Sequence, residues 1–370
     1  MCGIVGYIGP KEKKEILLDG LKELEYRGYD SAGIAIIENK KLNNFKAVGK
    51  LENLANKTKD YHSSGFGVAI GHTRWATHGK PTELNAHPHL GQNSFVVHNG
   101  IIENYQELKS KLQKSGVTFL SQTDTETIVH LFEYYIKQNM QPFEAFKKTV
   151  EEIEGAYATL LISESSPDTI FFAKNGSPML IGFDGSDIYF ASSDTPIIGK
   201  AKEVYYLEDG EYGYAKDGII RLYNENGEKA FTKQPLSKDK ASAQKDGFRF
   251  FMEKEIYEQS RVMSETMMGR VNDDSIYFEE LDNEFLKDIS AIKICACGTS
   301  YHSALASSYL FERLARIPCV VEIASEFRYK EPLLDKNTLF ITISQSGETA
   351  DTLEALKMAK RAGLKSLSIC

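Results

Sequence analysis

The chain has 370 residues, of which 42% are hydrophobic and 26% charged, and its formal net charge is −8. This length is typical of two or three domains, each large enough to bury a core. The acidic balance disfavours a nucleic-acid-binding surface, which needs a basic face, and no apolar run approaches the roughly 20 residues of a membrane-spanning helix. Five cysteines do not make a disulfide framework in a chain of this size. We therefore expect a reduced, cytoplasmic protein that binds neither nucleic acid nor membrane.

Residues 1–228 predict an α+β domain built from layers of sheet and helix. Up to about residue 100, short apolar or alternating runs separated by turn residues predict strands. Three helical segments follow at 104–116, 123–139 and 142–155, and strand patterns return between residues 156 and 224. Strands, then helices, then strands favour two antiparallel sheets with helices packed against them.

A polar, lysine-rich stretch at 229–247 predicts a linker to a second domain at 248–370. After one long helix, unbroken apolar strands alternate with helices, which predicts a parallel sheet covered on both faces. The chain ends at Cys370, directly after a strand, so we expect this doubly wound α/β domain to be incomplete. A parallel sheet that lacks partner strands would also expose apolar faces.

Cys2 stands directly after the initiator methionine. If Met1 is removed, the residue carries a thiol and a free α-amino group, whose ordinary pKa of about 7.7–8.0 lets it act as a base near neutral pH. Nucleophile and general base then belong to one residue. The alternative is that Cys2 is a small buried residue at the start of a strand, because a reactive cysteine needs an activating neighbour.

The segment 71–79 places Arg74 and the single tryptophan, Trp75, at the end of an apolar strand. An arginine fork is suited to binding a carboxylate through two hydrogen bonds, although a surface arginine beside a core tryptophan is the simpler interpretation. The histidines in and near this segment are His72, His78, His87 and His89. No cysteine or carboxylate completes a ligand set at a recognisable spacing, so we expect no metal site.

Two further segments allow both a structural and a functional interpretation. Asn99-Gly100 between apolar runs is a strong hairpin-turn signal, but the Asn99 amide and the Gly100 N–H are also the donors that an oxyanion hole requires. Asp124 stands at a predicted helix start, where it can cap the helix or pair with a substrate ammonium. Arg74 and Asp124 together could hold an α-amino acid by its two charged ends.

Five segments, in this order, resemble the glutaminase domain of N-terminal-nucleophile glutamine amidotransferases. They are CGIVG at 2–6, RGYDSAGIA at 27–35, HTRWATHG at 72–79, HNGIIENY at 98–105 and SQTDTE at 121–126. The resemblance implies a four-layer αββα sandwich of the N-terminal-nucleophile hydrolase type and L-glutamine as the nitrogen donor. It implies that Cys2 attacks the side-chain amide and that Asn99 and Gly100 stabilise the oxyanion. The glutamine-binding residues it implies are Arg27, Arg74, Trp75, Thr77, His78 and Asp124.

Two loops in the second domain each run from a predicted strand into a predicted helix, CACGTSYHSA at 295–304 and ITISQSGETADT at 341–352. Hydroxyl groups, a glycine and a helix N-terminus favour anion binding, and loops beyond the carboxyl ends of parallel strands are common ligand sites. One such helix start is usually only a cap, but two on neighbouring elements favour a phosphate site. These segments resemble a sugar-phosphate isomerase (SIS) domain. The resemblance implies a phosphate held by Ser344, Gln345, Ser346 and Thr349, and a sugar site lined by Thr299 and Ser300.

A glutaminase domain followed by an SIS domain resembles the glutamine–fructose-6-phosphate aminotransferase family. The resemblance implies synthesis of glucosamine 6-phosphate from fructose 6-phosphate and L-glutamine, without a metal or cofactor, by a homodimer associated through its SIS part. The family residues that open and isomerise the sugar have no counterpart in this chain, so we expect it to hydrolyse glutamine without making glucosamine 6-phosphate. Two alternatives stay open. One is another N-terminal-nucleophile amidotransferase, such as the phosphoribosyl-pyrophosphate-dependent enzyme or asparagine synthetase, and the other is a sugar-phosphate-sensing module with an inactive front domain.

Overall fold

The structure is a computed structural model, and it divides into two units, Met1–Ser275 and Ile276–Cys370. The residues that it describes are 2–25, 30–74, 80–236, 248–268, 270–272, 275–278, 281, 284–345, 347 and 349–370. Within these ranges, no helix is both long and apolar enough to cross a membrane.

The first unit contains two antiparallel sheets in the described part of the chain. Its strands are β1 (Gly3–Gly9), β2 (Ser31–Glu38), β3 (Lys41–Val48), β4 (Gly67–Arg74), β5 (His89–Leu90), β6 (Ser94–Ile102), β7 (Gly155–Ser163), β8 (Ser166–Asn175), β9 (Leu180–Asp184), β10 (Asp187–Ala191), β11 (Glu203–Tyr206), β12 (Glu211–Lys216), β13 (Ile219–Asn224), β14 (Gly227–Glu228) and β15 (Gln234–Pro235). The first sheet has the order β15-β11-β9-β10-β1-β4-β2-β3, and the second has the order β14-β13-β12-β8-β7-β6-β5. Two short strands, β16 (Val271–Asn272) and β17 (Ser275–Ile276), follow later in the chain.

Helices cover the outer face of each sheet. They are α1 (Lys13–Lys22), α2 (Leu51–Lys57), α3 (Tyr105–Lys114), α4 (Glu126–Lys137) and α5 (Pro142–Glu152), with α6 (Phe251–Met267) later in the chain. Leu17 and Leu54 pack α1 and α2 on the first sheet, and Phe132 and Phe146 pack α4 and α5 on Phe171 of the second sheet. Burying each of these side chains contributes about 1.5–3 kcal/mol. The sequence pattern did not predict α1 and α2, because apolar strand-like runs surround them.

The two sheets pack face to face around a shared apolar core. Ile4 and Ile70 of the first sheet contact this core from one side, and Val97 and Leu160 of the second sheet contact it from the other. The layer order is therefore helix, sheet, sheet, helix, which confirms the αββα sandwich. Strand β1 is buried along its whole length, since it lies between β4 and β10 and has a layer on each face.

Two predictions about local structure were wrong. Asn99 and Gly100 do not form a hairpin turn, because β6 runs through them and pairs with β7 as far as Ile102 opposite Gly155. The predicted start of the linker, at residue 229, is also too early. Lys229 N donates a hydrogen bond to the carbonyl oxygen of Leu222 in β13, β15 pairs with β11, and Leu236 is buried. Residues 237–247 lie outside the described residues, and the unit boundary after Ser275 differs from the predicted domain start at 248.

The second unit is built on a parallel sheet of four strands in the described part of the chain. Its elements are β18 (Ala291–Ala296), α7 (Gly298–Leu310), a π-helix (Phe311–Ala315), β19 (Cys319–Ile323), α8 (Ala324–Phe327), β20 (Thr338–Ile343), α9 (Ala350–Arg361) and β21 (Lys365–Ile369). The strand order is β19-β18-β20-β21. Ala304 of α7 packs on one face, and Phe327 of α8 and Ala355 of α9 pack on the other. Helices on both faces confirm the doubly wound α/β arrangement. Leu314 and Leu333 are large apolar side chains that are exposed on this unit.

Candidate active site

The end of β1 brings Cys2 beside Arg74. Gly3 of β1 pairs with Thr73 of β4 in antiparallel register, so the next residues outward on the two strands lie at the same end of the sheet. A Cβ at Gly3 would lie 2.7 Å from both Leu24 Cβ and Thr73 Oγ1, which explains the glycine after the cysteine. Cys2 is half-buried and Arg74 is buried, so the thiol and the guanidinium lie at one partly sheltered edge.

Asn99 joins this edge from the second sheet. Its Nδ2 donates a hydrogen bond of 3.1 Å to the carbonyl oxygen of Cys2. Gly100, the next residue of β6, has a φ of +123°, and a Cβ there would lie 1.9 Å from the carbonyl oxygen of Ala156. Only glycine fits this position. The fold therefore brings the Asn99 amide, one of the two predicted oxyanion donors, to the backbone of the predicted nucleophile.

His72 contacts the same asparagine, although the sequence pattern suggested only a metal-ligand role for it. Its Nε2 lies 2.9 Å from Asn99 Oδ1 and 3.1 Å from the carbonyl oxygen of His98. Burial lowers the pKa of His72 to about 3, so the ring is neutral near pH 7. A signal was present in the sequence, because His72 and Arg74 are two residues apart on one strand and therefore share a face.

Asp124 is held by the backbone of β6. Its Oδ2 accepts a hydrogen bond of 2.8 Å from Ile102 N and lies 4.0 Å from His98 Nδ1. Burial lowers the pKa of His98, so this contact joins a carboxylate to a neutral ring. Helix α4 has Thr125 as its N-cap residue, without a side-chain cap hydrogen bond. The interpretation of Asp124 as a helix cap was therefore wrong.

Buried histidines surround this edge without forming a metal site in the described residues. The rings of His72 and His87 stack with centroids 4.0 Å apart, and His89 lies edge-on to His87 at 4.7 Å. Burial lowers the pKa of His87 and His89 well below the usual value. In the part of the chain that the structure describes, no group of three or more His, Cys, Asp or Glu residues could hold a metal ion.

Four residues implied for glutamine binding and one implied for phosphate binding lie outside the described residues. They are Arg27, Trp75, Thr77, His78 and Ser346. Of the remaining first-domain residues, Cys2 and Asn99 are in direct contact, and the strand register brings Arg74 to the same edge.

The two predicted phosphate loops begin at neighbouring strands of the second unit. Ala296 at the end of β18 lies opposite Ile343 at the end of β20, and the chain turns to opposite faces after these strands. Such a switch point is a common place for ligands in a doubly wound sheet. Thr299 and Ser300 lie in the first turn of α7.

The loop after β20 is folded around the Ser344 hydroxyl. Its Oγ accepts a hydrogen bond of 3.1 Å from Gly347 N and lies 3.3 Å from Thr349 Oγ1. Thr349 is the N-cap residue of α9, while Gln345 is exposed. Hydroxyl and backbone N–H groups therefore converge near a helix N-terminus, which favours an anion.

Comparisons with known proteins agree with the division of the chain into two units. Residues 72–198 match a family described as a glutamine amidotransferase domain, and residues 285–370 match the SIS domain. Glutamine--fructose-6-phosphate aminotransferase [isomerizing] from Campylobacter jejuni is 62% identical over 100% of this chain and 62% of that protein. The protein of the same name from Escherichia coli is 42% identical over 100% of this chain and 62% of that protein. The chain therefore spans about three fifths of the length of these relatives.

A solved structure shares the fold at low identity. Glutamine phosphoribosylpyrophosphate amidotransferase from B. subtilis has 19% identity and a TM-score of 0.51, over 99% of this chain and 81% of that chain. This likeness concerns the fold alone, whereas the identities to the fructose-6-phosphate enzymes extend over the whole chain and include the SIS match. Over its whole length the chain is therefore similar to these glutamine–fructose-6-phosphate aminotransferases, with a match to a glutamine amidotransferase domain followed by a match to an SIS domain.

Proposed function

We propose that this chain hydrolyses L-glutamine at Cys2 and that the whole protein transfers the ammonia to fructose 6-phosphate, giving glucosamine 6-phosphate. The observation that carries the proposal is the contact between Asn99 Nδ2 and the Cys2 carbonyl oxygen at 3.1 Å, since it brings an amide donor to the residue that carries the thiol. The similarity to the fructose-6-phosphate enzymes and the SIS match support the hexose phosphate as acceptor.

The first step is attack by the Cys2 sulfur on the side-chain amide carbon of glutamine. Once Met1 is removed, the α-amino group of Cys2 takes the thiol proton and passes it to the leaving nitrogen, which departs as ammonia. Water then attacks the thioester, and the bond to sulfur breaks to give glutamate and the free thiol. Asn99 Nδ2 and Gly100 N–H stabilise the oxyanion that forms in both steps.

Two charges support binding of an α-amino acid in this site. The Arg74 guanidinium is suited to the substrate carboxylate, and the Asp124 carboxylate is suited to its ammonium. Asp124 Oδ2 already accepts from Ile102 N, which fixes the orientation of the carboxylate. Arg27, Trp75, Thr77 and His78 complete the proposed glutamine site.

The second unit supplies the proposed sugar-phosphate site and the dimer contact. Ser344, Gln345, Ser346 and Thr349 hold the phosphate, and Thr299 and Ser300 line the sugar. The polar loops after β18 and β20 support this assignment because they begin at neighbouring strand ends. The homodimer of the whole protein forms through the SIS part.

The test is reaction with a glutamine analogue that carries an electrophilic diazoketone, followed by mass spectrometry. We expect one adduct, on a chain that begins at Cys2, and we expect glutamine to protect against it. Glutamate and glucosamine 6-phosphate are then assayed separately with this chain. A chain without an adduct would support the alternative of a sensing module with an inactive front domain. Clear formation of glucosamine 6-phosphate by this chain would contradict the proposal that the sugar product needs the whole protein.

A further inference from the structure

The Asn99 side chain can stabilise an oxyanion in only one of its two amide orientations. With Nδ2 toward Cys2, the amide offers hydrogen atoms to that edge, one of which is donated to the Cys2 carbonyl oxygen at 3.1 Å. If the amide turned over, Oδ1 would face that carbonyl oxygen and would repel a developing negative charge. The reaction described above therefore needs something that fixes the amide orientation.

The protonation of His72 follows from its surroundings. Nε2 faces two oxygens, Asn99 Oδ1 at 2.9 Å and the His98 carbonyl oxygen at 3.1 Å. A carbonyl oxygen only accepts, so a hydrogen atom must stand on Nε2. On the other side of the ring, Nδ1 is buried and has no hydrogen-bond partner among the described residues. A proton on Nδ1 would be an unsatisfied buried donor and would leave the Nε2 lone pair facing oxygen, which is unfavourable on both sides of the ring.

We propose that His72 is a positioning residue, whose Nε2–H holds Asn99 Oδ1 and so keeps Nδ2 turned toward the oxyanion that forms at Cys2. This inference rests on the proposed glutamine hydrolysis. The stacked ring of His87, with its centroid 4.0 Å away, restricts rotation of the His72 ring. The fold thereby connects β4 of one sheet to the Asn99 amide in the other.

Three variants at position 72 separate positioning from packing. His72→Leu removes the donor and lowers kcat for glutamine hydrolysis at least tenfold, toward the roughly 100- to 1,000-fold loss seen when an oxyanion donor is removed. The KM for glutamine stays within about twofold, because the amide acts on the oxyanion rather than on the bound substrate. His72→Gln carries an amide N–H near the Nε2 position and restores most of kcat, whereas His72→Asn, which is shorter, does not.

His89→Leu is the matched control. His89 is another buried histidine, but its Nε2 contacts Thr123 Oγ1 at 2.9 Å and not Asn99. The kcat of His89→Leu should stay within about twofold of the kcat of the parent chain. The thermal midpoint is measured for every variant. If His72→Leu retains full kcat, or if Gln and Asn are equally poor at equal thermal stability, the positioning role is wrong.

A second measurement does not depend on activity. The ¹⁵N shifts of a histidine-labelled chain, assigned with His72→Gln, should show His72 neutral with the proton on Nε2. A proton on Nδ1 would overturn the inference even in an active enzyme. If the parent chain neither hydrolyses glutamine nor takes the diazoketone adduct, the proposed function fails, and the ¹⁵N result still decides the orientation.

Discussion

Gly100 packs so closely on Ala156 that a Cβ at position 100 would lie 1.9 Å from the Ala156 carbonyl oxygen. The close approach occurs within the paired strands, where Gly100 lies opposite Tyr157 with a φ of +123°. Neither partner can move without breaking the ladder between β6 and β7, so the position is constrained by tertiary structure.

Gly100→Ala is expected to destabilise the chain by about 3 kcal/mol or more and to abolish glutamine hydrolysis, because strain and a backbone clash act together. Gly116→Ala is the matched control. Gly116 also has a positive φ of +85°, but nothing lies within 4 Å of the added Cβ, so about 1 kcal/mol is expected. Denaturant unfolding of the two variants checks this, and equal losses would contradict the role of the Ala156 contact.

Cys2→Ala is expected to abolish glutamine hydrolysis without changing the thermal midpoint, because the half-buried thiol contributes little packing. Cys370→Ala, which removes an exposed thiol, should leave the rate unchanged. A chain that retains Met1 should be nearly as inactive as Cys2→Ala, since its thiol lacks the free amine. Equal turnover by the chains with and without Met1 would show that the amine is not the base.

The buried histidines predict a loss of stability in mild acid. Burial lowers the pKa of His72 to about 3 and that of His87 well below the usual value. Between the folded and unfolded pKa values, the unfolded chain binds protons that the folded chain does not. The free energy of unfolding therefore falls as pH drops from about 7 toward 3, by up to about 1.4 kcal/mol per pH unit and histidine.

Denaturant unfolding at pH 7 and pH 5 tests this dependence. His87→Gln should reduce the difference between the two pH values, because it removes one histidine that must stay neutral. His62→Gln changes an exposed histidine and should leave the difference unchanged. A parent chain equally stable at both pH values would contradict the prediction.

Lys46 is expected to affect the stability of the chain at alkaline pH. It lines a cavity of about 290 Å³ together with Glu83, Leu90 and Glu126, and burial lowers its pKa to about 8. The folded chain thus loses this proton at lower pH than the unfolded chain, and stability rises between about pH 8 and 10. Lys46→Met should stabilise the chain at pH 7 by about 1 kcal/mol, with the gain shrinking toward pH 10. Lys59→Met, at an exposed site, should show no such gain.

We expect the loop after β20 to bind the phosphate group of fructose 6-phosphate. Ser344→Ala or Thr349→Ala should weaken binding of fructose 6-phosphate about five- to tenfold, the usual effect of losing one hydrogen bond, while glutamine hydrolysis is unchanged. Ser264→Ala, in α6 of the other unit, serves as the control. Calorimetric titration with fructose 6-phosphate and with fructose distinguishes the groups involved. Equal binding of the two sugars would contradict a phosphate site.

Local patterns predicted the layers and most of their elements. A strand buried on one face alternates apolar and polar residues, whereas a strand buried on both faces is apolar throughout. The sequence therefore distinguishes the antiparallel sheets from the parallel sheet. Helices α3, α4 and α5 were also predicted, since caps and terminal glycine or proline residues mark their ends. Helices α1 and α2 were missed because strand-like apolar runs surround them, and the seven residues of α2 are also too few to establish a clear period.

The sequence alone shows which reactive groups the chain carries, namely a cysteine next to the start of the chain, an arginine at a strand end and two hydroxyl-rich loops. Which of these groups meet depends on the tertiary structure. Asn99-Gly100 has the local preference of a turn, but the pairing of β6 with β7 holds it extended. The contact of His72 with Asn99 joins two sheets, and no local pattern carries it. The reason is physical, because turn propensity arises within a few residues, whereas strand pairing and burial between layers depend on residues far apart in the chain.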